Sequence, residues 1–193
     1  MLSFKIVLVG DSGVGKTTLI FANLHNKFVS GVYPLWDIQS IFARAPDGKP
    51  YFYELWDTIS HEDYDCLRPL QYPNADFFLV CFSTVDPKSL ENVSEKWIPE
   101  ISRHCPGTPF FLVGTQIDLK EDRATMDRLA SKNQALISSA MGREIAKKVG
   151  AAKYLECSSL TMEGVRNVVD QSILQALKRA DKSERKIKMC AIS

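Results

Sequence analysis

Gly10-Asp11-Ser12-Gly13-Val14-Gly15-Lys16-Thr17 matches the pattern GxxxxGK[ST]. The apolar run Ile6 to Val9 leads into it and a helix-like stretch from Lys16 to about Asn26 leads out, the strand–loop–helix setting that the pattern requires. Glycines let successive backbone N–H groups converge on one anion, and the helix N-terminus adds partial positive charge. A lysine at that end of a helix is disfavoured unless an anion joins it, so an ordinary glycine-rich turn with a surface lysine is the weaker account. The stretch therefore reads as a phosphate cradle in which Ser12, Gly13, Val14, Gly15, Lys16, Thr17 and Thr18 are the expected contacts, with the Thr17 hydroxyl able to ligate Mg²⁺.

Working outward, short apolar runs recur at Phe52 to Trp56, Phe77 to Phe82, Phe110 to Val113 and Tyr154 to Cys157, with helix-like stretches between them. That alternation predicts βαβ units around a mainly parallel sheet. One pair differs: Ile38 to Ala45 and Tyr51 to Trp56 flank Pro46-Asp47-Gly48-Lys49, a turn sequence that predicts an antiparallel hairpin. The expected fold is α/β, a six-stranded, mostly parallel sheet with one antiparallel edge strand and helices on both faces. Further helices are expected from Pro87, with Asp86 as N-cap, to about His104; from about Ser139 to Val149, with Gly150 beyond; and from about Glu163 to Arg179. The mixed-charge stretch Lys120 to Asn133 reads as an exposed helical insertion.

Composition agrees with one domain over residues 1–178, followed by a polybasic, flexible tail over 179–193. The 193 residues are 45% hydrophobic and 24% charged, enough for a core. A net charge of +1 supplies no overall basic field, so a nucleic-acid partner is not expected. The five cysteines are odd in number and irregularly spaced, which predicts free thiols in a reducing, intracellular compartment. No run of 18 apolar residues occurs, and Met1 to Val9 is too short for a signal peptide, so a soluble body is expected.

Two further strand ends carry chemistry. Asp57 closes the run Glu54-Leu55-Trp56, at the edge where ligands of parallel sheets collect, and can share a cation with Thr17. As a lone feature it would serve equally well as a turn former. After Phe110 to Val113 comes Gly114-Thr115-Gln116-Ile117-Asp118, and a carboxylate there can accept from both the N1–H and the N2 amino group of guanine; adenine offers no such donor pair.

The loop GDSGVGKT, Asp57-Thr58, Thr115-Gln116-Ile117-Asp118 and Cys157-Ser158-Ser159-Leu160 together resemble the Ras superfamily of small GTPases, over essentially the whole chain. Asp63 to Pro73 and the charged insertion after Asp118 look specifically like the Rho, Rac and Cdc-type subfamily. The resemblance implies a P-loop small G-protein fold and a site for GTP or GDP with Mg²⁺. In that site Phe28 and the Gln116 stem flank the base, the Ser159 N–H meets its carbonyl oxygen, and Ser158 and Leu160 complete the loop. It also implies a monomeric membrane switch acting on cytoskeleton and polarity effectors through the 32–45 and 58–73 regions. Exchange factors, activating proteins and a prenyl-binding dissociation inhibitor are its implied regulators.

Several positions depart from that pattern. Leu35 in Tyr33-Pro34-Leu35-Trp36-Asp37 stands where the family carries a metal-ligating Thr, and Leu cannot coordinate a metal. Ile59-Ser60-His61 replaces Ala-Gly-Gln, removing the glycine that senses the γ-phosphate and the amide that orients water. His61 is the one candidate catalytic group, and its ring lacks the amide's adjacent donor and acceptor. Ser12, which most Rho members replace by Gly, can crowd an activating protein's arginine. Unaided hydrolysis by such proteins runs at about 10⁻⁴ s⁻¹ and a partner's arginine adds about 10⁵-fold, so the altered positions put most of the catalysis at stake. The leading expectation is a binding switch with weak or lost hydrolysis. A conventional, regulated GTPase and a nucleotide-bound structural module blind to the GTP/GDP difference stay open beside it.

Cys190-Ala191-Ile192-Ser193 has the form of a CaaX box, and its Ser favours farnesyl on Cys190. Upstream, Lys178, Arg179, Lys182, Arg185, Lys186 and Lys188 against Asp181 and Glu184 give six positive and two negative charges, a net +4. One lipid chain and a basic patch together suffice for anchoring to the cytoplasmic face of a membrane, exchanging with the cytosol.

Overall fold

The computed structural model describes residues 2–32, 38–44, 48 and 50–190, and the side chains of 3–32, 38–43, 48 and 50–179. The expectations for Tyr33 to Asp37, including Leu35, for most of the hairpin turn and for Ala191 to Ser193 lie outside these residues. Six strands form one sheet: β1 (Leu2–Gly10), β2 (Ile38–Arg44), β3 (Pro50–Asp57), β4 (Phe77–Ser83), β5 (Phe110–Thr115) and β6 (Lys153–Glu156). Their spatial order is β2-β3-β1-β4-β5-β6, and only the β2–β3 pair is antiparallel. The expected α/β sheet, with its single antiparallel edge, is present.

Alternation along the central strands builds two cores. Phe4, Ile6 and Leu8 of β1 pack on one face with Phe77, Leu79 and Cys81 of β4; Val7 and Val9 pack on the other with Phe78, Val80 and Phe82. The first face is covered by α1 (Lys16–His25) and α6 (Val165–Cys190), whose Val165, Val168, Val169 and Ile173 are buried. The second is covered by α2 (Pro87–Asn92), α3 (Ile98–His104) and α5 (Ser139–Val149), with Trp97 fully buried. The charged insertion is a 3₁₀ segment, Ile117–Glu121, followed by α4 (Arg123–Ser131). Asp86 caps α2 by accepting from the Lys88 N–H, and Gly150 ends α5 at φ 77°, both as expected.

Two helix expectations are corrected. The helix from Pro87 to His104 is interrupted by a π turn, Val93–Trp97, which ends two residues before Pro99. Proline has no N–H to donate and its ring crowds the carbonyl four residues back, and a widened turn relieves that conflict. The last helix starts at Val165 and runs to Cys190, past the expected end near Arg179. Residues 180–190 contain Ala, Lys, Arg, Glu and Met, all good helix formers, and neither Gly nor Pro to stop them. Among the described residues no helix is long and apolar enough to cross a membrane.

All five parallel strands end on the same edge of the sheet. The connection leaving β1 runs to the β2–β3 side and the one leaving its neighbour β4 runs to β5 on the other, so the loop after Gly10 opens at a topological switch point, where open α/β sheets bind ligands. Gly10 itself admits no side chain: a Cβ there would lie 2.1 Å from the Cys81 carbonyl oxygen of the neighbouring strand. The loop is thus seated directly against β4.

Candidate nucleotide site

Gly13 and Gly15 adopt φ of 76° and 90°, a left-handed backbone that turns the chain around the cradle and starts α1. Lys16, only 6% exposed, sends its ammonium back across the loop to the carbonyls of Gly10 and Asp11, 2.9 Å from each. Burial drives its pKa below the ordinary lysine value, against a smaller upward pull from Asp57. A buried cation that desolvation disfavours is a strong electrostatic seat for polyphosphate, whose arrival returns the lost counter-charge.

The metal side is equally specific. Thr17 Oγ1 donates to Asp57 Oδ2 at 2.5 Å, and Asp57 is buried at the end of β3, registered beside Leu8. Two hard oxygen ligands suit Mg²⁺, which keeps water and takes substrate phosphate for the rest of its shell. Among the described residues there is no group of three His, Cys, Asp or Glu side chains able to hold a metal without such help. The donor set therefore fits a Mg²⁺–phosphate unit better than an all-protein metal site.

Two adjoining cavities meet at Gly15, Thr18 and Gln116. One, about 370 Å³, is lined by Ser12, Gly13, Lys16, Thr17, Val32, Ile59, Ser60 and His61. The other, about 260 Å³, is lined by Phe28, Thr115, Asp118, Leu119, Ser159 and Leu160. The first has the chemistry of a phosphate compartment and the second that of a flat heterocycle's pocket: exposed apolar Phe28 and Leu160 with one carboxylate. Val32 and Leu119 are wall residues that no motif marks.

The β5 loop is bolted to the phosphate loop. Thr115 Oγ1 donates to the Val14 carbonyl at 2.5 Å, and Gln116 Nε2 donates to the Gly13 carbonyl at 3.0 Å. Gln116 Oε1 accepts from Ser83 Oγ at 2.5 Å, which fixes the amide head and leaves the stem along both cavities. Asp118 Oδ1 accepts from Ser158 Oγ at 2.5 Å, and that same Oγ accepts from the Thr161 N–H. Ser158, expected among the nucleotide contacts, is fully buried off the cavity wall and acts by aiming Asp118. Val14 likewise contributes backbone, its side chain lying in the core.

His61 borders the phosphate cavity, but its Nδ1 accepts from the Asp63 N–H at 3.3 Å and lies 3.2 Å from Asp63 Oδ2. The ring caps a short 3₁₀ turn, Glu62–Tyr64. Two further anchors had no signature in the sequence. Asp11 accepts from Trp97 Nε1 at 2.7 Å and from Asn92 Nδ2 at 2.6 Å, fastening the phosphate loop to the helix pair across β4. Arg68, buried over the Trp97 ring, pairs with Glu100 at 2.6 Å and donates to the Ile59 carbonyl at 3.1 Å. Both link residues more than thirty apart except for the nine-residue reach to Ile59, so spacing carries no trace of them.

Phosphate loop, metal-side carboxylate and carboxylate-bearing base pocket on one sheet edge define a P-loop purine-nucleotide-binding protein. The model of the Ras family matches residues 5–178, and the chain belongs to that family. Ras-family proteins are small GTPase switches that bind GTP and GDP with Mg²⁺ and engage regulators and effectors.

Proposed function

We propose that this chain is a Rho-like, membrane-anchored guanine-nucleotide switch in which GTP hydrolysis is weak. The observation that carries the reading is the state of His61: the group at the water-orienting position has its Nδ1 committed to capping the Asp63 N–H, and its ring is 66% exposed. A side-chain amide offers an adjacent donor and acceptor to a water; this imidazole does not. Bound Mg²⁺ would neutralise phosphate charge between Thr17 and Asp57, while Lys16 and the loop amides hold the phosphates and Asp118 selects the base. With hydrolysis slow, the bound nucleotide follows relative affinity and supply. The Asp63 to Pro73 segment and the helical insertion α4 support the Rho-like assignment, with effectors meeting the 32–45 and 58–73 regions.

Single-turnover hydrolysis of the Mg²⁺–GTP complex tests this. A rate at or below about 10⁻⁴ s⁻¹, changed only a few-fold by a Rho-type activating protein, is the expected result. Stimulation by three orders of magnitude or more would refute it. The Cys-aliphatic-aliphatic-Ser pattern at 190 to 193 and the basic residues before it support prenyl anchoring at a membrane's cytoplasmic face. Cys190→Ser should move the protein to the cytosolic fraction; unchanged sedimentation with membranes contradicts the anchor.

A further inference from the structure

Ser60 reaches into the phosphate compartment from the chain after β3. Its neighbours hold it there: Thr58 Oγ1 donates to the Leu8 carbonyl at 2.5 Å, and Arg68 holds the Ile59 carbonyl. From that position Ser60 Oγ donates to the Gly10 carbonyl at 2.5 Å and accepts from Lys16 Nζ at 2.5 Å. An ammonium has three N–H bonds. In this chain they go to the Gly10 carbonyl, the Asp11 carbonyl and the Ser60 hydroxyl. The hydroxyl thus accepts the one Lys16 N–H that the loop carbonyls leave open.

Loop amides of a GxxxxGK[ST] motif cradle the inner phosphates, whereas the lysine reaches toward the outer ones. A terminal phosphoryl group therefore depends on Lys16 more than the inner phosphates do. We propose that Ser60 is a specificity-determining residue: by competing for Lys16, its hydroxyl lowers retention of a nucleoside triphosphate relative to the diphosphate. The inference rests on the guanine-nucleotide reading of the cleft and adds what sets the balance between the two bound states. A third phosphate that reaches Lys16 must displace or turn the Ser60 hydroxyl, whose own proton is held by the Gly10 carbonyl.

The test is calorimetric titration of nucleotide-free, full-length protein with Mg²⁺–GDP and with a Mg²⁺–imidotriphosphate analogue of GTP. Wild type, Ser60→Ala and Ser60→Gly are compared. Removing the hydroxyl should raise the triphosphate-to-diphosphate affinity ratio about tenfold in both variants, the size of one hydrogen bond to a charged group. A ratio unchanged in both overturns the proposal. So does a fall in triphosphate affinity, which would make the hydroxyl a donor to the terminal phosphate, and so does a gain confined to Gly, which would assign the effect to the backbone. Wild-type protein that takes up neither nucleotide would instead overturn the site itself, a result distinct from an unchanged ratio.

Discussion

Asp118→Asn is expected to exchange guanine for xanthine as the preferred base, with affinity for GDP falling by about ten-thousandfold. The carboxylate lines the base cavity and has no donor of its own; it can accept from the N1–H and N2 amino group of guanine together. An amide replaces one acceptor with a donor, which opposes the guanine amino group and matches the C2 carbonyl of xanthine. The fold should tolerate the change, because the Ser158 hydroxyl that now donates to Asp118 Oδ1 can equally accept from an amide. Competitive displacement with GDP and xanthosine diphosphate reads the outcome. GDP affinity within tenfold of wild type, or no gain for the xanthine nucleotide, would remove Asp118 from base recognition.

Lys16→Met should lower nucleotide affinity about a thousandfold, the loss of a full positive charge together with its charge-assisted hydrogen bond to phosphate. Folding should respond in a different way. The ammonium is buried and desolvation disfavours its charge, while its three hydrogen bonds offset part of that cost. Methionine removes both terms and fills similar space, so the melting temperature without nucleotide should stay within about 3 °C of wild type. Intact melting with lost binding is the expected pair of results. Collapse of both together would make Lys16 a structural residue, and retained binding would contradict the phosphate cradle.

Much of this architecture was legible because it is local. Apolar runs of strand length, the turn residues between Ile38 and Trp56, Asp86 as a cap and Gly150 as a terminator each act within a few residues. The phosphate loop was legible for the same reason, since one contiguous octapeptide carries glycines, cation and hydroxyl. The departures came where distant residues decide. The π turn reflects Pro99 meeting a helix that packs Trp97 into the core, and periodicity alone does not register that conflict. Helix α6 runs past its expected end because Ala, Lys, Arg and Glu favour the helix even in a densely charged stretch.

The site shows the same division. Thr17 and Asp57, Lys16, Phe28, Thr115, Gln116, Asp118, Ser159 and Leu160 lie together at one edge of the sheet. What pattern could not assign is how they are held. Ser158 positions Asp118, Gln116 clamps Gly13 to Ser83, and Asp11 is fastened through Trp97, 86 residues away. Ser60 was visible only as a departure from family pattern; its contact with Lys16 spans 44 residues and needed the folded chain to appear.

Titration of the nucleotide-free wild-type protein with Mg²⁺–GDP and, separately, with Mg²⁺–ADP tests most directly whether backbone amides and Lys16 grip the phosphates while Asp118 chooses the purine. A preference for GDP of about a thousandfold or more is the predicted result. Equal affinity for the two, or binding of neither, would contradict it.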